Sequence, residues 1–144
     1  MKKLPLSRRV LAVFFPERCA FCDTVVYAGM PVCARCSATL PRQERPLCLR
    51  CGLSKSRCTC KSTATVLDAI CAPFRYEGAV KHGILRFKEN ATALTAAHYA
   101  KEIAETVKQA FEDVAFDGVT FVPMDKDDFR ERGYNQSEWL AREV

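Results

Sequence analysis

The sequence has no run approaching the ~20 apolar residues that a bilayer-spanning helix requires, which excludes a transmembrane segment. Its apolar run Val10-Leu11-Ala12-Val13-Phe14-Phe15 is six residues long. That is shorter than the core of a secretory signal, and no small-residue cleavage site follows it. The chain is therefore expected in the cytoplasm, where disulfides rarely persist. Acids are scarce at the front: residues 1 to 62 hold only Glu17, Asp23 and Glu44 against 12 Lys and Arg, a formal +9. Residues 63 to 144 reverse the balance, with 14 acids against 10 bases, a formal −4. The chain thus divides into a basic unit, 1–62, and an acidic unit, 63–144.

What the basic unit has is cysteine. Eight of the nine cysteines fall within 42 residues, as Cys19-Ala-Phe-Cys22, Cys33-Ala-Arg-Cys36, Cys48-Leu-Arg-Cys51 and Cys58-Thr-Cys60. A Cys-x-x-Cys turn converges two thiolates on one ion about 2.3 Å from each sulfur, and a second pair closes a tetrahedron with no position left for water. Four pairs make two closed zinc sites, which are structural rather than catalytic. A disulfide framework or an iron–sulfur cluster fits the spacing and the compartment less well. Sequential pairing groups Cys19, Cys22, Cys33 and Cys36 on one ion and Cys48, Cys51, Cys58 and Cys60 on the other. Interleaved pairing, giving a cross-braced module, stays open on spacing alone. Cys71, in an apolar stretch without a second sulfur, is expected to pack as a small hydrophobe.

Metal binding changes the charge. A zinc ion with four thiolates carries −2, so two filled sites lower the basic unit to about +5 and the whole chain from +5 to about +1. A local excess remains at Arg35, Arg42, Arg45, Arg50, Lys55, Arg57 and Lys61, able to attract the phosphates of single-stranded DNA. A solvated surface that offsets the negative zinc clusters is the alternative. Zinc binding, at an apparent ~10–16 kcal/mol for small peptides, is expected to supply much of the folding free energy of so small a module. The segment from Lys2 to Pro16 reads as a short amphipathic helix docking on the chain's own core, with membrane contact as the alternative.

After a polar linker at residues 61 to 65, the stretch from Val66 to Tyr76 reads as one or two short strands closed by Glu77-Gly78. Helices are expected from Ala79 to Phe87 and from Thr92 to Phe111. In the second, Ala96, Tyr99, Ala100, Ile103, Val107, Ala110, Phe111 and Val114 form one apolar face, with Lys101, Glu102, Glu105 and Lys108 off it. Asp117-Gly118 turns into Val119-Thr-Phe-Val122, which suits a buried parallel strand ended by Pro123. This order suggests an α/β layered fold with ligands beyond the strand ends. The following loop suits an anionic, hydroxyl-bearing ligand: Arg130 and Arg132 offer forked cationic donors, Gly133 allows close backbone approach, and the amides of Asn135 and Gln136 donate and accept. The same residues also read as a turn and a helix cap, Asn135 capping and Glu138 completing a capping box.

The double four-cysteine module, the segment Phe74-Arg-Tyr-Glu-Gly-Ala-Val-Lys-His-Gly-Ile-Leu-Arg-Phe-Lys88-Glu-Asn and the run Arg132-Gly-Tyr-Asn-Gln-Ser-Glu-Trp-Leu-Ala141 together resemble the ComF family of natural-competence proteins. The resemblance implies a small zinc-ribbon module followed by an α/β phosphoribosyltransferase-like domain. It implies a role in DNA uptake beside a helicase-like competence protein, and Lys88, Arg132, Gly133, Asn135 and Gln136 as substrate-binding residues. Catalytic residues are not assigned by it. Asp125, Asp127 and Asp128 depart from a stretch that is more often basic in the family. The chain also has no acidic pair followed by a Thr-Thr-Gly stretch, the loop with which such transferases hold phosphoribosyl pyrophosphate (PRPP). The domain is therefore expected to be incomplete, a truncated member inactive alone, with magnesium and PRPP binding only if the domain is completed. Two other classes stay open: a zinc-ribbon module binding nucleic acid or protein, and a phosphoribosyltransferase of nucleotide metabolism.

Overall fold

The structure, a computed structural model, describes residues 15–60 and 66–144. The amphipathic helix expected at the N-terminus and the linker at residues 61 to 65 lie outside the described residues, as does Lys61. The elements are α1 (Ala34–Thr39), a 3-10 turn (Lys55–Arg57), α2 (Gly78–Glu89), α3 (Ala93–Ala110), α4 (Lys126–Arg132) and α5 (Gln136–Glu143). Among the described residues β-structure is confined to isolated bridges, so the architecture is a zinc-ribbon module followed by a helical region.

Each helix start has a local cause. α2 opens at Gly78, whose φ of 51° is a conformation that favours glycine. α3 is fixed by a reciprocal box: Thr95 N donates to Thr92 Oγ1 (3.2 Å) and Thr92 N donates to Thr95 Oγ1 (3.0 Å). α4 is capped by Asp125, which accepts from Asp127 N at 2.8 Å, and ends at Gly133 in the left-handed region at φ 77°. α5 is capped by Asn135, whose Oδ1 accepts from Ser137 N (2.9 Å) and Glu138 N (3.3 Å). The box anticipated at Glu138 is replaced by an ion pair, Glu138 to Arg142 at 2.7 Å, one turn further on.

The core joins the two halves of the chain. Cys19, Ala20, Phe21 and Cys36 from the cysteine-rich half are buried with Val80, Phe87, Ala96 and Tyr99 from α2 and α3. Phe21, fully buried, meets Phe74, His98 and Tyr99 edge to face at ring distances of 5.5, 5.8 and 5.4 Å. Such contacts are worth about 0.5–1.5 kcal/mol each beyond the area buried. Trp139 and Leu140 of α5, partly buried, pack against the cluster.

Two expectations are corrected. The stretch from Val66 to Tyr76 does not begin a sheet of its own. Its residues bridge back onto the cysteine-rich half, Phe74 antiparallel to Arg42 and Cys71 parallel to Gly52, with Arg75 N donating to Pro41 O (2.8 Å) and Gln43 N to Pro73 O (3.0 Å). Residues 119 to 122 form no strand and are exposed, Val119 at 65% and Val122 at 75%. A strand is stable only when a neighbour takes up its backbone donors and acceptors. Here the described chain supplies one such partner, Asn135 Nδ2 donating to Val122 O at 3.1 Å.

Candidate metal centres

The first centre forms where two turns of the chain meet. Cys19 to Cys22 is a tight knuckle: Cys19 N donates to Thr24 O (2.8 Å), Asp23 N to Cys19 O (3.2 Å), and Asp23 takes a positive φ of 65°. Cys33 and Cys36 come from the start of α1 opposite it. The carboxylate of Glu17, accepting from Gly29 N–H, ties the loop between them. The second centre repeats the plan. Cys48 N donates to Leu53 O (2.7 Å), Gly52 N to Cys48 O (2.8 Å), and the 3-10 turn delivers Cys58 and Cys60. Ser54, 1% exposed, is held by Gln43 Oε1, which accepts from both its N–H and its hydroxyl.

In each group the four sulfur atoms lie within 4.8 Å of one another, as Cys19, Cys22, Cys33, Cys36 and as Cys48, Cys51, Cys58, Cys60. A zinc tetrahedron with ~2.3 Å bonds has sulfur edges of about 3.8 Å. The pairs Cys22–Cys33 at 3.6 Å and Cys51–Cys58 at 3.9 Å match that edge. The sequential arrangement is the one the chain adopts. Backbone N–H groups already point at the sulfurs, Cys33 N at Cys19 Sγ, Cys36 N at Cys33 Sγ and Cys60 N at Cys58 Sγ, each 3.4 Å. Four thiolates, no carboxylate and no open position are the donor set of a closed structural zinc site.

The thiols of each group do not ionise as equals. Burial opposes ionisation of Cys22, yet hydrogen bonds from the Thr24 side chain and backbone, Cys36 and Cys33 bring it down to about 6. Burial first, and then the neighbouring thiols, push Cys36 far up. In the second group Cys48 falls to about 7, chiefly through its bond with Cys58, and Cys60 rises to about 12, chiefly through Cys51. Four negative sulfurs crowd together only around a cation, and a divalent ion supplies that charge. Cys71 stands apart, half buried, its thiol pushed up by burial.

The basic residues are not a uniform surface. Arg42 is committed to the fold: its guanidinium grips Glu102 of α3 with two bonds of 2.6 and 2.8 Å and lies over Phe74 at 5.0 Å. Glu102 was expected off the apolar face of α3, but it is 9% exposed because it faces this arginine. The contact joins residues 60 apart and no helical period reports it. Arg45 donates to Gln109 O at 3.1 Å. Arg35, Arg50, Lys55 and Arg57 are exposed. Within residues 15 to 60 seven bases face three acids, +4, and two zinc-tetrathiolate centres at −2 each bring the sum to zero.

The candidate ligand residues of the helical region fall in two places. Lys88 and Gln136 line an apolar cavity of about 420 Å³ with Phe21, Phe74, Tyr99 and Leu140. Asn135 borders a second cavity of about 370 Å³ with Phe121, Phe129 and Arg130. Arg132 pairs with Asp128 at 3.3 Å, and Gly133 and Asn135 serve the helix ends. Tyr134 is the residue that sequence reasoning passed over. Its hydroxyl accepts from Ala91 N (2.9 Å) and donates to Phe87 O (3.0 Å), tying the end of α2 to the start of α5. No helix among the described residues is long and apolar enough to cross a membrane.

Residues 10–73 match the family described as the double zinc ribbon domain. The match includes both four-cysteine groups and ends where residues 70 to 75 bridge onto the module. The N-terminal part is thus a zinc-binding double zinc ribbon. Neither a curated protein nor a solved structure matches the chain.

Proposed function

We propose that the chain is a ComF-like cytoplasmic protein of DNA uptake, in which both zinc ions are structural and ligand binding falls to the helical region. The observation that supports this reading most is the order and union of parts. A double zinc ribbon is buried by its first knuckle against α2 and α3, and these lead to the turn from Arg132 to Gln136. Closed four-sulfur sites leave no position for a reacting water. Chemistry, if the protein performs any, belongs elsewhere.

In this reading Lys88 and Gln136 on one cavity, and Arg132 four residues before Gln136, are the contacts for a phosphoribosyl-type ligand. Gly133 and Asn135 shape the turn that presents them. The chain has no acidic Thr/Gly loop to cradle a 5′-phosphate, so phosphoribosyl transfer by these 144 residues is not expected. A zinc-ribbon module for nucleic acid is the second reading, favoured by the exposure of Arg35, Arg50, Lys55 and Arg57. The zero charge sum of residues 15 to 60 limits it to weak, salt-sensitive contact with single-stranded DNA.

The test is genetic. Deleting the gene in its own naturally transformable host should lower the recovery of transformants, and the wild-type chain should restore it where Cys19→Ser does not. Unchanged transformation after deletion would set the reading aside in favour of the plain zinc-ribbon module.

A further inference from the structure

The two zinc centres differ in what stands behind them. Around the first, the peptide carbonyls of its knuckle are held by side chains from helices far along the chain. Arg86 of α2 donates to Cys19 O at 2.6 Å, and Tyr99 of α3 donates its hydroxyl proton to Ala20 O at 2.7 Å. Arg86 also pairs with Asp23, the residue after the second cysteine of the knuckle, at 2.8 Å. Gly83 of α2 lies so close to the knuckle that a methyl group there would sit 2.5 Å from Ala20 O and 3.0 Å from Phe21 Cα. Cys19, Ala20 and Phe21 are accordingly 0, 1 and 0% exposed. The second centre is backed differently. Each centre has one exposed cysteine, Cys22 and Cys60, but outside its own loop the second knuckle is met by the neighbouring extended segment, Ile70 N donating to Leu49 O at 2.6 Å and Gly52 bridging Cys71.

We propose that Arg86 and Tyr99 are positioning residues of the first zinc centre, making it a slowly exchanging ion locked to the helical region, while the second centre exchanges independently. Two physical effects act in the same direction. Donors on the Cys19 and Ala20 carbonyls fix the knuckle in the shape that converges Cys19 and Cys22, so less order is lost on binding the metal. The Arg86 guanidinium, bonded to Cys19 O, also places a positive charge beside a zinc-tetrathiolate of charge −2. Partners that orient metal ligands in this way typically govern about 10–100-fold in metal affinity. Release of the first ion also requires breaking Phe21 out of the aromatic cluster, which adds a barrier that the second ion does not meet.

The experiment is zinc withdrawal from the intact chain by excess chromogenic chelator, followed in time. Two phases of one ion each are expected, and Cys60→Ser should abolish the fast one, assigning it to the second centre. Tyr99→Phe removes a single hydroxyl, and Arg86→Met removes charge and donors while keeping bulk. Each should speed the slow phase about tenfold or more without changing the fast phase. Arg86→Lys, which keeps the charge and one donor, should recover part of the loss. Cobalt substitution supplies a spectroscopic check: the sulfur-to-cobalt absorption of the slow site alone should weaken in Arg86→Met at limiting metal. If both phases accelerate equally, Arg86 and Tyr99 merely stabilise the fold and the proposal fails. It fails equally if neither phase moves, or if the slow phase is the one lost in Cys60→Ser.

Discussion

At the scale of single residues, the structure turns on contacts that cross from the cysteine-rich half to the helices. The Arg42–Glu102 pair is asymmetric, since the arginine side chain is 54% exposed and the glutamate 11%. Removing the glutamate lets the arginine turn to water, whereas removing the arginine strands a buried carboxylate. Glu102→Gln should therefore cost about 1 kcal/mol and Arg42→Met about 2–3 kcal/mol, read from urea unfolding of the zinc-loaded protein. Equal costs would contradict this burial. The Arg42 hydrogen bonds also hold the Glu102 carboxyl below its ordinary value. The stability it adds is present above the unfolded carboxylate range and is lost as pH falls through the folded value. Gly83 poses a second question of magnitude. In a free helix Gly→Ala gains about 0.5–1 kcal/mol, but a Cβ 2.5 Å from a backbone carbonyl forces the knuckle or the helix aside, at about 1–3 kcal/mol. Gly83→Ala should thus lower Tm, and a raised Tm would mean that the knuckle is not seated there. The eight ligand cysteines were legible as residue types and spacings. Arg42, Gly83, Arg86 and Tyr134 were not, because each acts through a partner 43 to 67 positions away and no local period encodes such a contact.

At the scale of elements, α2 and α3 follow from local sequence and the strands do not, while the stretch read as a loop after Pro123 forms the short helix α4 between Asp125 and Gly133. Ala96, Tyr99 and Ala100 of α3 recur at helical spacing and are buried as the pattern requires, and the ends expected at Thr92 and Phe111 are the two cap residues. A helix satisfies its own backbone, so a window of its sequence is enough to read it. A strand depends on a neighbour elsewhere in the chain. Residues 66 to 76 found theirs in the ribbon module rather than in a new sheet, and residues 119 to 122 pair with no strand among the described residues. The turn from Arg132 to Gln136 was readable both as a ligand loop and as a turn with a cap, and the geometry displays the capping bonds of Gly133 and Asn135. Asn135→Ala would remove the two cap acceptor bonds together with the bond to Val122 O. A loss of about 1–2 kcal/mol is expected, with faster amide exchange confined to the first turn of α5 and residues 119 to 124. Exchange unchanged in those segments would count against Asn135 as their tie.

At the scale of the whole molecule, metal, charge and packing are a single problem. Zinc binding supplies folding free energy that a module with so few buried apolar residues lacks. The same ions remove the positive charge that the bare sequence suggests, and the first knuckle carries the metal's stabilisation into α2 and α3 through Phe21, Arg86 and Tyr99. Loss of the first centre should therefore disturb the helices, and loss of the second should leave them largely intact. Native mass spectrometry of the purified chain, with circular dichroism on the same samples, tests this most directly. The account predicts two zinc ions per chain, one remaining in both Cys19→Ser and Cys48→Ser, with helical signal and Tm falling sharply in the first variant and modestly in the second. A folded chain without metal, or a Cys19→Ser protein that keeps both zinc and full helical stability, would contradict it.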